Sequence, residues 1–233
     1  MDRLKKWDKD EGAGPVTEAD LAVNAYLEDI LQAARPDYGW LSEETEDSEA
    51  RLKKSRAFVI DPIDGTRSFI EGSTTWAHSI AVVEDGRPIA AVVYLPLRQK
   101  LYAAALGQGA TLNGKAIMSS RRSKLEGSEL LAARPAFEPH HWKSVPPDLK
   151  RAYRPSLAYR LALVAEGRYD GMLTLRRSWE WDIAAGALLI TEAGAQVTDR
   201  KGADLRFNKS DPASNGVVAS SANIHTQLFK ALA

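Results

Sequence analysis

The chain reads as an α/β protein, helices mixed with sheets, on three observations. An amphipathic stripe covers residues 17–34, β-prone segments separated by turn formers fill 57–114, and helical and strand patterns alternate after residue 157. At 233 residues the length suits one large domain or two small ones, and 44% hydrophobic residues supply a sizeable core.

Residues 1–15 are polar and Gly-containing, and read as an irregular lead-in. Thr17-Glu18-Ala19-Asp20 has the spacing of a capping box, with Asp in the reciprocal position. Val23, Tyr26, Leu27, Ile30, Leu31 and Ala34 then mark the buried face of a helix that Pro36 ends. A short strand over 38–41 runs into the acids Glu43, Glu44, Glu46 and Asp47. The apolar run 57–60 reads as a strand that stops at Asp61-Pro62. Residues 79–83 and 89–94 flank the turn former Asp85-Gly86 as a hairpin, with a third antiparallel strand over 101–105 and a Gly-rich turn over 107–114.

Residues 119–155 lack periodicity and are read as a seam between subdomains, 1–120 and 121–233, that form one structural unit. Leu157, Leu161, Val164 and Ala165 predict a helix ending near Gly167, and Gly171-Met172-Leu173 a strand. Ile183, Ala184, Ala187, Leu188 and Thr191 predict a helix of small residues ending at Gly194. A strand over 217–219 and a helix from about Asn223 complete the pattern, without repeats.

Composition excludes several function classes. Lys+Arg 31 balances Asp+Glu 31, which argues against nucleic-acid binding through phosphate neutralisation. Without cysteine there is no disulfide, thiolate zinc site, iron–sulfur cluster or cysteine nucleophile. No apolar run is long enough for a membrane span and none near the start resembles a signal peptide, so a cytoplasmic location is expected.

The chemistry concentrates in three acidic segments. In Asp61-Pro62-Ile63-Asp64-Gly65-Thr66, two carboxylates follow a strand end, Gly65 lets backbone amides approach an anion, and Thr66 supplies a hydroxyl. Such carboxylates suit a hard divalent cation, though Asp also caps turns. Glu43-Glu44 is costly if buried without a cation, and otherwise a solvated loop. Asp182, in Glu180-Trp181-Asp182, stands at a helix start, where acids also serve as caps. The three together point to a shared metal site. His140 and His141 are adjacent, a poor spacing for one metal, so oxygen ligands and Mg²⁺ are favoured over zinc.

Leu41-Ser42-Glu43-Glu44-Thr45, the 61–66 segment, and Trp181-Asp182-Ile183-Ala184-Ala185-Gly186 with Glu192-Ala193-Gly194 resemble the signatures of the inositol monophosphatase superfamily. Pro15-Val16-Thr17-Glu18-Ala19-Asp20 and Gly107-Gln108-Gly109-Ala110-Thr111-Leu112-Asn113-Gly114 add to the resemblance, which runs from about Lys9 onward. It implies a layered α-β-α-β-α sandwich with the site at the junction of the halves, and a lithium-sensitive, Mg²⁺-dependent phosphatase. Glu43, Asp61 and the Ile63 carbonyl would hold one Mg²⁺, and Asp61, Asp64 and Asp182 a second. Asp20 would stand near a third ion through water. Asp64, Gly65, Thr66 and Asp182 would meet the phosphate, and Thr66 with Glu43 would orient and deprotonate the attacking water.

Within that superfamily, inositol phosphatases place an acid about seven residues before the Asp182 position; here Thr174-Leu175-Arg176 has none. Glu180-Trp181-Asp182 and Leu163-Val164-Ala165-Glu166-Gly167 look more like bacterial 3'(2'),5'-bisphosphate nucleotidases. Arg160, Arg176 and Arg177 are candidates for a second phosphate, Trp76 and Trp179 for a base, and Glu180 for the site. Phosphoadenosine phosphate is therefore favoured slightly over inositol monophosphate. The rival reading is a non-catalytic metal- or phosphometabolite-binding regulator on the same scaffold. The resemblance also implies a further helix before Lys9, so the surface it would cover is expected to meet a partner subunit, as in a homodimer, or to leave the protein fragile.

Overall fold

The computed structural model of the chain describes residues 4–9 and 14–233. Of the expected irregular lead-in, residues 1–3 and 10–13 lie outside the described residues. The rest forms a strand pair, Lys6–Asp8 (β1) antiparallel to Pro15–Thr17 (β2). The capping box closes as spaced: the Thr17 hydroxyl accepts from the backbone of Ala19 and Asp20, and the Asp20 carboxylate accepts the Thr17 N–H at 2.9 Å. Helix Glu18–Ala34 (α1) follows, but its buried side differs from the apolar stripe. Asp20 and Asn24 are the buried positions, Val23, Leu27 and Leu31 are half-buried, and Tyr26 and Ile30 are 66% and 44% exposed. Hydrogen bonds decide this. Asn24 accepts from Ser42 at 2.6 Å and donates to Thr45 at 3.0 Å, so the polar side of the helix is the side tied to the sheet.

The first sheet has seven strands in the spatial order of the chain: Gly39–Ser42 (β3), Arg56–Asp64 (β4), Ala77–Glu84 (β5), Arg87–Leu95 (β6), Lys100–Ala105 (β7), Ala110–Leu112 (β8) and Lys115–Ile117 (β9). Only β3–β4 is parallel; the rest is antiparallel, as the turn formers between strands require. Strand β4 does not stop at Asp61-Pro62. It runs on to Asp64 through a register irregularity between Asp61 and Asp64, which leaves Pro62 outside the ladder. Helix Thr66–Ile70 (α2) follows directly.

Residues 119–155, aperiodic in sequence, nevertheless hold strands. They contribute Glu129–Ala132 (β10) and Lys150–Ala152 (β11), parallel neighbours too short to show periodicity. Helix Leu157–Ala165 (α3), strand Gly171–Trp179 (β12), helix Glu180–Glu192 (α4), strands Gln196–Thr198 (β13) and Ala213–Ser220 (β14), and helix Ala222–Ala231 (α5) complete the chain. The second sheet runs β11-β10-β12-β14-β13. Strand β12 extends well past the expected Gly171-Met172-Leu173, because pairing with β14 carries it through the polar Arg176 and Arg177.

Alternation divides the second sheet between two cores. Leu131, Met172, Val217 and Ala219 join α3, α4 and the first sheet, whereas Leu130, Leu173, Leu175 and Val218 join Ile224 and Leu228 of α5. The layers are therefore α1, seven-stranded sheet, α3 with α4, five-stranded sheet and α5: the α-β-α-β-α sandwich. The small residues of α4 let it sit close to α3, and a Cβ at Gly186 would collide with Leu161. Glu192 fastens the far end of α4 to the first sheet by accepting the N–H groups of Gly107 and Gly109 at 2.9 and 2.7 Å.

Candidate metal centre

Three different elements converge where the layers meet. Glu43 follows β3 and is held by its N–H to the Ile60 carbonyl, 3.2 Å away. Asp61 sits in the irregular part of β4, and Asp182 in the first turn of α4, whose start is tied to the first sheet by Ser79 Oγ donating to the Trp181 carbonyl at 2.9 Å. Glu43, Asp61 and Asp182 each present an oxygen, all within 4.8 Å of one another. They line a cavity of about 540 Å³ with Asp64, Gly65, Thr66, Lys9, Tyr153, Arg160 and Arg176.

The electrostatics are unfavourable without a cation. Burial, then the charges of Glu43, Asp64 and Asp182, push the Asp61 carboxyl well above the usual carboxylate range. Burial and the neighbouring Asp64 and Glu43 do the same to Asp182. Burial raises Asp64 to about 6, although Ser156 Oγ and the Ala158 N–H, each 2.6 Å from Oδ2, oppose the rise. Among the described residues, Asp61 Oδ1 is buried with no hydrogen-bond partner. Three clustered carboxylates, one with a buried oxygen lacking a partner, and no thiolate or imidazole in the set, fit a hard divalent cation.

Asp20 is buried behind this cluster; its Oδ1 accepts the Thr66 hydroxyl at 3.2 Å, as does the Ile63 carbonyl. Gly65, at φ +100°, makes the turn from β4 into α2 that brings Thr66 to the cavity wall. Arg160 is buried on the cavity side of α3, donating to the Arg154 and Pro155 carbonyls and covering the Tyr153 ring at 4.5 Å. Arg176 lines the cavity from a register irregularity in β12, while Arg177 pairs with Asp211.

Two expectations fail on geometry. Glu180 does not line the cavity: it is fully buried and its carboxylate accepts the N–H groups of Asn208 and Lys209 at 2.5 and 3.4 Å. Burial raises its carboxyl to about 7. Trp76 is buried and does not line the cavity, whereas Trp179 lines it at 41% exposure, stacked on Trp181 at 4.9 Å with the Arg177 guanidinium 4.6 Å from its ring.

Two site residues escaped the sequence reading. Lys9 donates to Glu43 at 2.9 Å and Glu44 at 2.7 Å; burial works against its charge, but the two acids prevail and raise its pKa. Nothing in a charged lead-in singles out that lysine. Ser156 could have been found as the N-cap of α3, a role it fills by accepting the Tyr159 N–H while donating to Asp64.

The chain and its fold find counterparts among known proteins. Residues 2–233 match the model of the inositol monophosphatase family. The inositol-1-monophosphatase of Mesorhizobium japonicum is 35% identical over 217 residues, covering 87% of this chain and 79% of that protein. The Nus factor SuhB of Escherichia coli K12 is 36% identical over 198 residues, 80% of this chain and 72% of its own. A Thermotoga maritima IMPase structure superposes with a TM-score of 0.82 at 29% identity, covering 98% of this chain and 87% of the other.

Proposed function

The chain belongs to the inositol monophosphatase family of phosphoric monoester hydrolases, and we propose that it cleaves a small phosphate ester with water activated at a Mg²⁺ site held by Glu43, Asp61, the Ile63 carbonyl, Asp64 and Asp182. The observation that carries this reading is the cluster of Glu43, Asp61 and Asp182 oxygens within 4.8 Å of one another, in which Asp61 keeps a buried Oδ1 without a partner among the described residues. Bound there, two Mg²⁺ ions, with a third near Asp20, would supply the positive charge that a phosphate ester needs to accept a nucleophile.

The chain's own groups have separate tasks. Thr66, whose hydroxyl is already directed by Asp20 and the Ile63 carbonyl, orients the attacking water, and Glu43 accepts its proton. Gly65 and Thr66 receive the phosphate through backbone N–H and hydroxyl. The Lys9 ammonium supplies one positive charge to the pair Glu43–Glu44 and can yield Glu43 when a divalent cation competes for it.

For the substrate we favour a 3'(2'),5'-bisphosphate nucleotide such as phosphoadenosine phosphate over inositol monophosphate. The neighbourhood about seven residues before Asp182, Thr174-Leu175-Arg176, lacks the acid that the family resemblance would lead one to expect of an inositol phosphatase, and Arg160 and Arg176 line the cavity. A panel of phosphoadenosine phosphate, inositol phosphates and fructose bisphosphate, assayed for phosphate release with Mg²⁺ and with lithium added, tests both levels. Release from the nucleotide alone supports the reading; release only from inositol phosphates replaces the substrate, and no release at all favours a non-catalytic regulator. That second reading draws on the relatives named as Nus factors, such as the Escherichia coli protein.

A further inference from the structure

Glu180 and Arg51 are buried ionisable side chains for which the proposed reaction has no use. Arg51, 3% exposed, lies in a single 3₁₀ turn, Glu49–Lys53. Its guanidinium grips Asp47 with two bonds, Nε to Oδ1 at 2.6 Å and Nη2 to Oδ2 at 2.8 Å. The same group crosses to the other half of the chain, donating to Asn208 Oδ1 and the Lys209 carbonyl, each at 2.7 Å. Asn208 and Lys209 in turn donate their N–H groups to Glu180, and the Lys209 ammonium stands 3.7 Å from that carboxylate. A continuous chain of hydrogen bonds therefore joins Asp47 to Glu180.

Its two ends are informative. Asp47 closes the acidic loop that begins at Glu43, and Glu180 opens the helical turn that presents Asp182. Glu43 and Asp182 share no strand ladder: Glu43 follows β3 and Asp182 sits in the first turn of α4, which the Ser79–Trp181 bond also ties to the first sheet. The Arg51 fork is planar and cannot lengthen, so it transmits a fixed separation rather than a mere attraction. Strand β3 also packs against it, since a Cβ at Gly39 would lie 2.8 Å from Arg51 Cβ.

We infer that Arg51 and Glu180, bridged by Asn208 and Lys209, are positioning residues that set the gap between Glu43 and Asp182 and thereby the affinity of the site for a divalent cation. The inference rests on the metal reading above. Magnesium-sized ions tolerate little error in ligand position, so a small widening of the gap should weaken binding before it slows chemistry at saturating metal.

The test is calorimetric titration of Mn²⁺ into metal-free protein, paired with the Mg²⁺ concentration that half-activates phosphate release. Arg51→Lys keeps a charge but loses the fork, and Asn208→Gly keeps the left-handed backbone at φ 58° and the N–H to Glu180 while deleting the Oδ1 acceptor, one of the two groups that Arg51 reaches across the junction. Both should weaken Mn²⁺ binding, by about tenfold for Arg51→Lys and less for Asn208→Gly, with kcat at saturating Mg²⁺ changed less than about threefold. Leu228→Ala, in the core under α5, should lower the melting temperature as much or more without moving Mn²⁺ affinity. Wild-type affinity in a folded Asn208→Gly or Arg51→Lys variant overturns the inference alone. Failure of the unaltered protein to bind Mn²⁺ overturns the inference together with the metal reading, and an equal loss in Leu228→Ala reduces the strap to a purely structural feature.

Discussion

Asp61 and Glu180 are both buried acids, one on each side of the same junction, and their surroundings differ in kind. Glu180 meets two backbone N–H donors and an ammonium, and those groups are fixed in turn by Arg51. Asp61 faces other carboxylates and keeps one oxygen without any partner among the described residues. Folding thus satisfies one acid internally and leaves the other in a position that only an external cation completes. Buried charge is a weak sign of function by itself. Its partners decide whether it braces the fold or waits for a ligand.

Substitutions should separate the two acids by the sign of their effect. Asp61→Asn removes a ligand common to both proposed ions, and phosphate release should fall by about a thousandfold or more, a loss of roughly 4 kcal/mol of transition-state stabilisation. The same change relieves repulsion in the metal-free protein, so its melting temperature under chelation should hold or rise. A variant that keeps full activity, or that unfolds, would dissolve the contrast. Glu180→Ala should do the opposite: it strands the donors at 208–209 and costs about 3–5 kcal/mol of stability, read by urea unfolding.

The response to pH sharpens the same contrast. Asp61, Asp64 and Asp182 hold protons in the metal-free fold that the unfolded chain has released, with Asp64 at about 6 against an ordinary value of 3.8. Their contribution to stability under chelation should therefore be fully present below the unfolded values and be lost as pH rises through about 4–6, by roughly 3 kcal/mol for Asp64 alone. Glu180, raised to about 7, adds to the decline toward neutrality. Mg²⁺ binds the deprotonated acids, so the gap in melting temperature between Mg²⁺ and chelator should widen with pH. A gap that stays constant from pH 4.5 to 7.5 would contradict the assignment of these acids as ligands.

The smallest effect belongs to a pair in solvent. Arg177 and Asp211 form an ion pair as short as 2.5 Å, but their side chains are 55% and 67% exposed. Arg177→Met should change stability by less than about 1 kcal/mol in the same urea series. A larger loss there would mean that pairing distance, rather than burial, governs these acids.

Much of this was legible in the residues, and the failures have physical causes. The capping box, the turn formers and the small residues of α4 are local signals, and each produced its element where expected. The acidic segments announced the converging set, because three acids from distant parts of the chain beside a Gly-Thr turn are hard to explain otherwise. Strands β10 and β11 were hidden because three or four residues cannot display a period, and their parallel partners are far away in sequence. The outward placement of Tyr26 and Ile30 was hidden because the orientation of α1 is set by Asn24 bonding to Ser42 and Thr45, a tertiary choice that overrides the hydrophobic stripe. Glu180 was grouped with Asp182 because proximity along the chain says nothing about the side chain's partners. The hydrogen-bonded chain through Arg51 was equally silent, since Arg51 stands 157 and 158 residues from its partners Asn208 and Lys209.

Anomalous diffraction from crystals soaked in Mn²⁺ would show whether these acids hold a divalent cation. A peak is expected among Glu43, Asp61 and Asp182, with the Lys9 ammonium withdrawn from Glu43 and Asp61 Oδ1 partnered. A map empty at that position, with Lys9 still bonded to Glu43, would contradict the metal reading.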